Sequence, residues 1–452
     1  MSKGNPAWKL VLTVLSILLT IFVWTKGLQE SFDRPSVNPT LSLHQREISV
    51  LAEPAFPDPL KELFFASDPL FDLKSSLQEI PLDQISERNR LLLANLDIPK
   101  DDKDALLDID FKDNVLRKVK LLVHNELTGK DAFKNDISKL KIIKDDPLLY
   151  QTSCFSLGGT KENCIDQDLS KKMRTRLLIS QSFPFLGVVF GIVLLIRQLW
   201  ILFSNNSKPW PQLISLPLSL VDMTLLVAGG FVVLGEVLVP AIVLPLTIPI
   251  TKVFSQPVGD SLKVLIGYGA MTFPPLIILR QQIKSLRSFE VPPQGWLQWR
   301  LRPFNSAIYK AIGGWLMILP LVLFISWLTN FLFGDQGGSN PLLEMVLNSK
   351  DPLALSLLVF TTVVFAPLFE ELIFRGALLP VLAKKFGLWG GIFLSAFAFA
   401  VAHLSVGELP PLFVLGVGLA LMRLSTGRLL PCVLMHSFWN GVTFFSLLLL
   451  GG

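Results

Sequence analysis

Apolar residues fall into long runs separated by short polar loops, and one stretch of the chain breaks that pattern. The runs lie at about Leu10–Trp24, Leu177–Ile196, Leu216–Val239, Val264–Leu279, Ala311–Phe333, Leu353–Leu382, Leu388–Leu404, Leu412–Met422 and Leu430–Leu450. A helix rises about 1.5 Å per residue, so about 20 apolar residues cross a bilayer core. Only helices and closed barrels satisfy their backbone polar groups in lipid. The pattern therefore predicts an all-α polytopic membrane protein with about eight or nine transmembrane helices. Pro240 to Pro249 is too interrupted for a regular span and reads as a re-entrant or interfacial segment.

Residues 27–176 mix charges of both signs with short hydrophobic groups such as Leu91-Leu92-Leu93 and Leu106-Leu107 at roughly helical spacing. Prolines 54, 57, 59, 69, 81, 99 and 147 interrupt them. This predicts a soluble, mostly helical domain with no catalytic motif, suited to interaction or substrate gating. The organisation expected is an N-terminal signal anchor at 1–26, the soluble domain at 27–176, membrane helices with a basic loop at 177–304 and a catalytic membrane domain at 305–452. The first run has no small-residue cleavage site close behind it, which favours an uncleaved anchor over a signal peptide.

Composition agrees with a membrane protein: 51% of residues are hydrophobic, 17% are charged and the mean hydropathy is +0.52. The net charge of +5 is modest, and the placement of basic residues sets topology rather than nucleic-acid binding. With the N-terminus in the cytoplasm, the loops at 197–208, 280–302, 375–385 and 423–428 fall inside and carry most of the basic residues between spans. The cluster at 171–176 falls outside, which a long translocated domain tolerates. Nine spans put the soluble domain outside, where Cys154 and Cys164 are able to form a disulfide. Cys432 reads as a packing residue.

Ionisable groups are costly inside a bilayer, so those that occur there are functional candidates. Glu370, Glu371 and Arg375 lie in the sixth apolar run, and two of only four histidines, His403 and His436, lie in later ones. Glu371 and Arg375 are spaced i,i+4, in the better order for an ion pair. Glu370 points about 100° away, free to face a cavity. Glu371 lies 14 residues before Lys385 and His403 lies 14 after Trp389, which puts both about 20 Å deep in an antiparallel pair. His436 lies 8 residues past Arg428, about 12 Å deep, with Asn440 one turn further in. Three helices thus converge on a polar cavity opening toward the cytoplasm.

Peptide hydrolysis fits this set: a carboxylate takes a proton from water beside one histidine, and a second histidine with an amide stabilises the oxyanion. Glu370, His403 and His436 are also a possible ligand set for a divalent metal such as zinc, and the residues leave metal dependence open. There is no HExxH. Each piece alone has a plainer explanation, because ion pairs and histidines also bond membrane helices together.

Glu370-Glu371…Arg375, Phe399…His403 and His436…Asn440 resemble the EExxxR, FxxxH and HxxxN motifs of the CPBP family of intramembrane proteases, also called the Abi or type II CAAX prenyl endopeptidase family. Thr426-Gly427 and Pro431 add to the likeness. The resemblance covers roughly residues 350–450 and does not reach 1–176. It implies that Glu370 activates water with His403, that His436 and Asn440 support the oxyanion, and that Glu371 and Arg375 hold the site together. The expected partners are the lipid bilayer and a membrane-associated protein or peptide, in a plasma or thylakoid-type membrane. Two other functions remain: a non-catalytic scaffold or chaperone of the same fold, and a divalent-ion transporter using Asp222 and Glu236.

Overall fold

The computed structural model describes residues 6–34, 36–96, 98–126, 139–204, 209–286, 289–334, 338 and 340–451. It is all-α among these residues, and eight helices are long and apolar enough to cross a membrane. They are Ala7–Asp33, Gln167–Phe203, Leu220–Thr251, Gln256–Ser285, Phe304–Phe333, Pro352–Val401, Leu409–Thr426 and Leu430–Gly451, here the first to eighth spans. Pro352–Val401 is 50 residues long, far more than one crossing needs. Gly387, at φ 78° and ψ 167°, divides it into two arms, 352–386 and 388–401. A left-handed φ is cheap only for glycine. Past that turn the arms press together so closely that a Cβ on Gly391 would sit 2.6 Å from the Ala383 backbone. Eight helices thus give nine apolar runs.

The chain forms two compact units, Met1–Val37 with Phe183–Gly452, and Asn38–Ser182. The expected boundaries at 26/27 and 176/177 fall inside the helices Ala7–Asp33 and Gln167–Phe203. In the membrane unit the proline-rich stretch is helical: Val239–Thr251 contains Pro245 and Pro249 and continues the third span. Its upstream part, Leu225–Leu238, is π-helical. Helices in lipid tolerate proline where neighbouring groups satisfy the freed carbonyls, a factor that the run of prolines alone conceals.

The core of this unit joins Phe231, Trp315, Ile318, Phe369, Ile373, Phe374, Phe399 and Leu419. Close approach replaces side chains at two helix crossings: a Cβ on Gly191 would fall 2.1 Å from the Leu316 carbonyl, and one on Gly416 3.0 Å from Ala396. Lys9 pairs with Asp222 at 2.9 Å, and Asp222 also closes a capping box with Ser219. Asp222 is therefore occupied in starting the third span, which accounts for it without an ion path.

In the second unit, Arg88 bonds both Glu47 and Asp146, joining three of its helices. Cys154 and Cys164 are disulfide-bonded around the Gly158-Gly159 turn. A Cβ on Gly159 would lie 2.2 Å from Cys164 Sγ, so the turn has room for glycine alone.

Candidate active site

Glu370 and Glu371 close a short α-helical turn, Ala366–Glu371, which runs into a π-helical turn, Leu372–Leu378. Adjacent residues on a helix face different ways, and the two carboxylates have different surroundings here. The Glu371 side chain has no exposed surface. Its Oε1 accepts from Arg375 Nη1 at 2.9 Å and lies 3.0 Å from His436 Nδ1. Arg375 is equally buried and donates from Nη2 to the Gly416 carbonyl at 3.0 Å, while its guanidinium stands 4.4 Å from the Phe399 ring centre. Buried charges persist only when paired and hydrogen-bonded, and these contacts tie three helices to one ion pair.

Glu370 retains 14% of its side-chain exposure. Oε1 accepts from the Tyr268 hydroxyl at 2.8 Å, and Oε2 has no hydrogen-bond partner and lies 3.9 Å from His436 Nε2. His436 therefore stands between the two carboxylates, one on each ring nitrogen. A carboxylate accepts only, so an ionised Glu371 sets Nδ1 as a donor. The 3.9 Å that separate Glu370 Oε2 from His436 Nε2 are too long for a direct hydrogen bond.

Asn440, on the same helix, donates from Nδ2 to the Thr362 carbonyl at 2.8 Å. That contact fixes the amide against the π-helical turn Phe360–Phe365 and leaves one Nδ2 hydrogen over.

His403 is placed differently from the sequence expectation. The helix ends at Val401, so His403 sits in the following turn. Its Nδ1 lies 2.8 Å from the Phe399 carbonyl. A carbonyl accepts, so Nδ1 carries a proton. The Phe399 ring separates the two histidines, 4.8 Å from His403 and 5.6 Å from His436. Among the described residues no hydrogen bond joins His403 to Glu370, and no three His, Cys, Asp or Glu side chains gather as metal ligands. Glu370, His403 and His436 as they stand do not fit a metal.

The loop after His403 is held by distant parts of the membrane unit. Arg34 donates to the Leu404 carbonyl. The Val406 amide donates to Ser31 Oγ at 3.0 Å, and Ser405 donates to the Gly338 carbonyl at 2.8 Å. The end of the first span thus anchors the His403 loop. On the other side of the site, Arg423 bonds Gln298 and the Arg375 carbonyl, and Arg428 bonds the Arg300, Leu301 and Pro303 carbonyls.

Tyr268, Gln298, Arg423 and Gly416 escaped the sequence reading. A lone tyrosine in an apolar span is a weak signal, although the chain has only three. Glu236, which the sequence offers only as part of an ion path, interacts electrostatically with Glu370 and Tyr268.

Residues 352–442 match the family model described as type II CAAX prenyl endopeptidase Rce1-like. Over these residues the chain is similar to the CPBP family. The match spans both arms about Gly387 and ends two residues past Asn440, so it contains all six candidate site residues. Residues 38–175 match a family model described only as a domain of unknown function. No curated protein and no solved structure matches the chain.

Proposed function

We infer that the chain is an intramembrane endopeptidase that hydrolyses a peptide bond of a membrane-associated protein or peptide. The observation that carries this reading is His436, held by Glu371 through Nδ1 and facing the free oxygen of Glu370 across 3.9 Å. A carboxylate oxygen with no protein donor beside an imidazole oriented through its other nitrogen is a pair suited to activating a water.

In this reading Glu370 Oε2 takes a proton from the water, and the water oxygen bonds to the substrate carbonyl carbon. The carbonyl oxygen becomes an oxyanion, stabilised by the remaining Nδ2 hydrogen of Asn440. The carbon–nitrogen bond then breaks and the proton passes from Glu370 to the leaving amine. Glu371 and Arg375 carry no proton in the cycle; they hold His436 and the helices in place. The reading puts the mouth of the cavity on the side of the basic loops, the cytoplasmic side.

The test compares membrane proteomes containing wild type or Glu370→Ala. Substrates should accumulate uncut, and their shortened products disappear, in the variant. Identical proteomes would remove Glu370 as the base. Full rescue of a deletion phenotype by the Glu370→Ala, His403→Ala double variant would favour a non-catalytic scaffold.

A further inference from the structure

Glu370 has two oxygens, and the structure treats them unequally. Oε1 accepts the Tyr268 hydroxyl at 2.8 Å, whereas Oε2 has no protein donor and faces His436. Tyr268 is itself clamped. Its ring meets Phe365 edge-on at 5.7 Å and Phe369 at 6.3 Å, both on the arm that carries Glu370. A buried tyrosine hydroxyl needs a partner, and a bond to a charged acceptor is stronger than one between neutral groups. Tyr268 belongs to the fourth span, Gln256–Ser285, outside the matched 352–442 segment.

We propose that Tyr268 is a positioning residue for peptide hydrolysis: it holds Glu370 by Oε1, so that Oε2 is the oxygen that takes the proton from water. The inference rests on the endopeptidase reading. It means that the catalytic constellation is completed by a helix outside the matched segment. Without the hydroxyl, the carboxylate is free to rotate about its last bond and to turn Oε2 away from the water, while substrate binding is untouched.

The test uses the full chain in membranes and a substrate found by the proteome comparison. Tyr268→Phe is expected to lower kcat about 10- to 100-fold at unchanged KM, the equivalent of ~1.4–2.7 kcal/mol. Tyr268→4-aminophenylalanine, which keeps a donor at the same point of the ring, should recover most of the lost rate; a general packing defect would not respond this way. Wild-type kcat in Tyr268→Phe beside an inactive Glu370→Gln overturns the inference alone. An active Glu370→Gln overturns instead the reading of Glu370 as the base, on which the inference rests.

A second measurement needs no substrate. Tyr150, Tyr268 and Tyr309 are the only tyrosines in the chain, so ring-labelled tyrosine gives a sparse infrared spectrum. The C–O band that vanishes in Tyr268→Phe should move in Glu370→Gln, where the acceptor becomes neutral. A band that stays in place overturns the inference.

Discussion

His436 Nδ1 and Glu371 Oε1 are 3.0 Å apart, and the same carboxylate oxygen accepts Arg375. One buried atom therefore serves both the ion pair that holds the helices and the imidazole that faces Glu370.

That sharing makes Arg375 difficult to remove. Arg375→Met leaves the Glu371 carboxylate buried without its cation, which should cost about 3–5 kcal/mol. The double variant Glu371→Gln, Arg375→Met removes both charges and should recover much of the stability without recovering activity. Thermal unfolding in detergent beside a cleavage assay separates the two effects; equal stability of the single and double variants would contradict the ion-pair account.

Gly416 lies where Arg375 crosses to the neighbouring helix. Its carbonyl accepts Arg375, and an added Cβ would meet Ala396 at 3.0 Å. Gly416→Val should therefore push the helices apart and destabilise the protein by about 1–3 kcal/mol, a typical overpacking cost. Gly313, where a Cβ would meet nothing within 4 Å, is the control: Gly313→Val should unfold at nearly the wild-type temperature.

The disulfide gives a chemical prediction for the second unit. Cys154 and Cys164 are ten residues apart in sequence, and a loop of that size contributes about 2–3 kcal/mol. Cys154→Ser, Cys164→Ser should lower the unfolding temperature of this unit. Gly159→Val should expose two alkylatable thiols, because its side chain cannot fit beside the sulfurs. Unreactive thiols in that variant would show that the turn accommodates the side chain.

Glu87 supplies a pH dependence. Its carboxylate accepts the amides of Lys112 at 2.9 Å and Asp113 at 3.2 Å, and these bonds hold its pKa below the ordinary value of 4.5. A lowered folded-state pKa means that the contribution is present above the ordinary value and is lost as pH falls through it toward the folded value. Stability of the second unit should therefore decline below about pH 4.5, with a shallower decline in Glu87→Gln. Chemical unfolding followed at several pH values checks this, and superimposable wild-type and variant curves would refute it.

The fold was largely readable because length and hydropathy alone define a bilayer-crossing helix. Both arms of the sixth span were separable because Lys384 and Lys385 interrupt the apolar run just before Gly387. The third span was misjudged past Pro240, since proline's cost depends on neighbours that a single sequence does not display. The Glu371–Arg375 pair followed from i,i+4 spacing. The contacts of His403 did not, because estimating depth by counting residues assumes a continuous helix, and this one ends at Val401. Tyr268 and Gly416 meet the site only through tertiary packing, and no local pattern announces such partners.

Gly387 makes the two arms a matched pair of lengths. Phe374 lies 13 residues before it and Phe399 12 after it, and their rings meet edge-on at 5.5 Å. Adding one residue to a single arm would slide every later contact by about 1.5 Å and rotate it by about 100°. The arm lengths are therefore not independently variable: an insertion between Phe374 and Gly387 would put the whole site out of register unless the opposite arm changed with it.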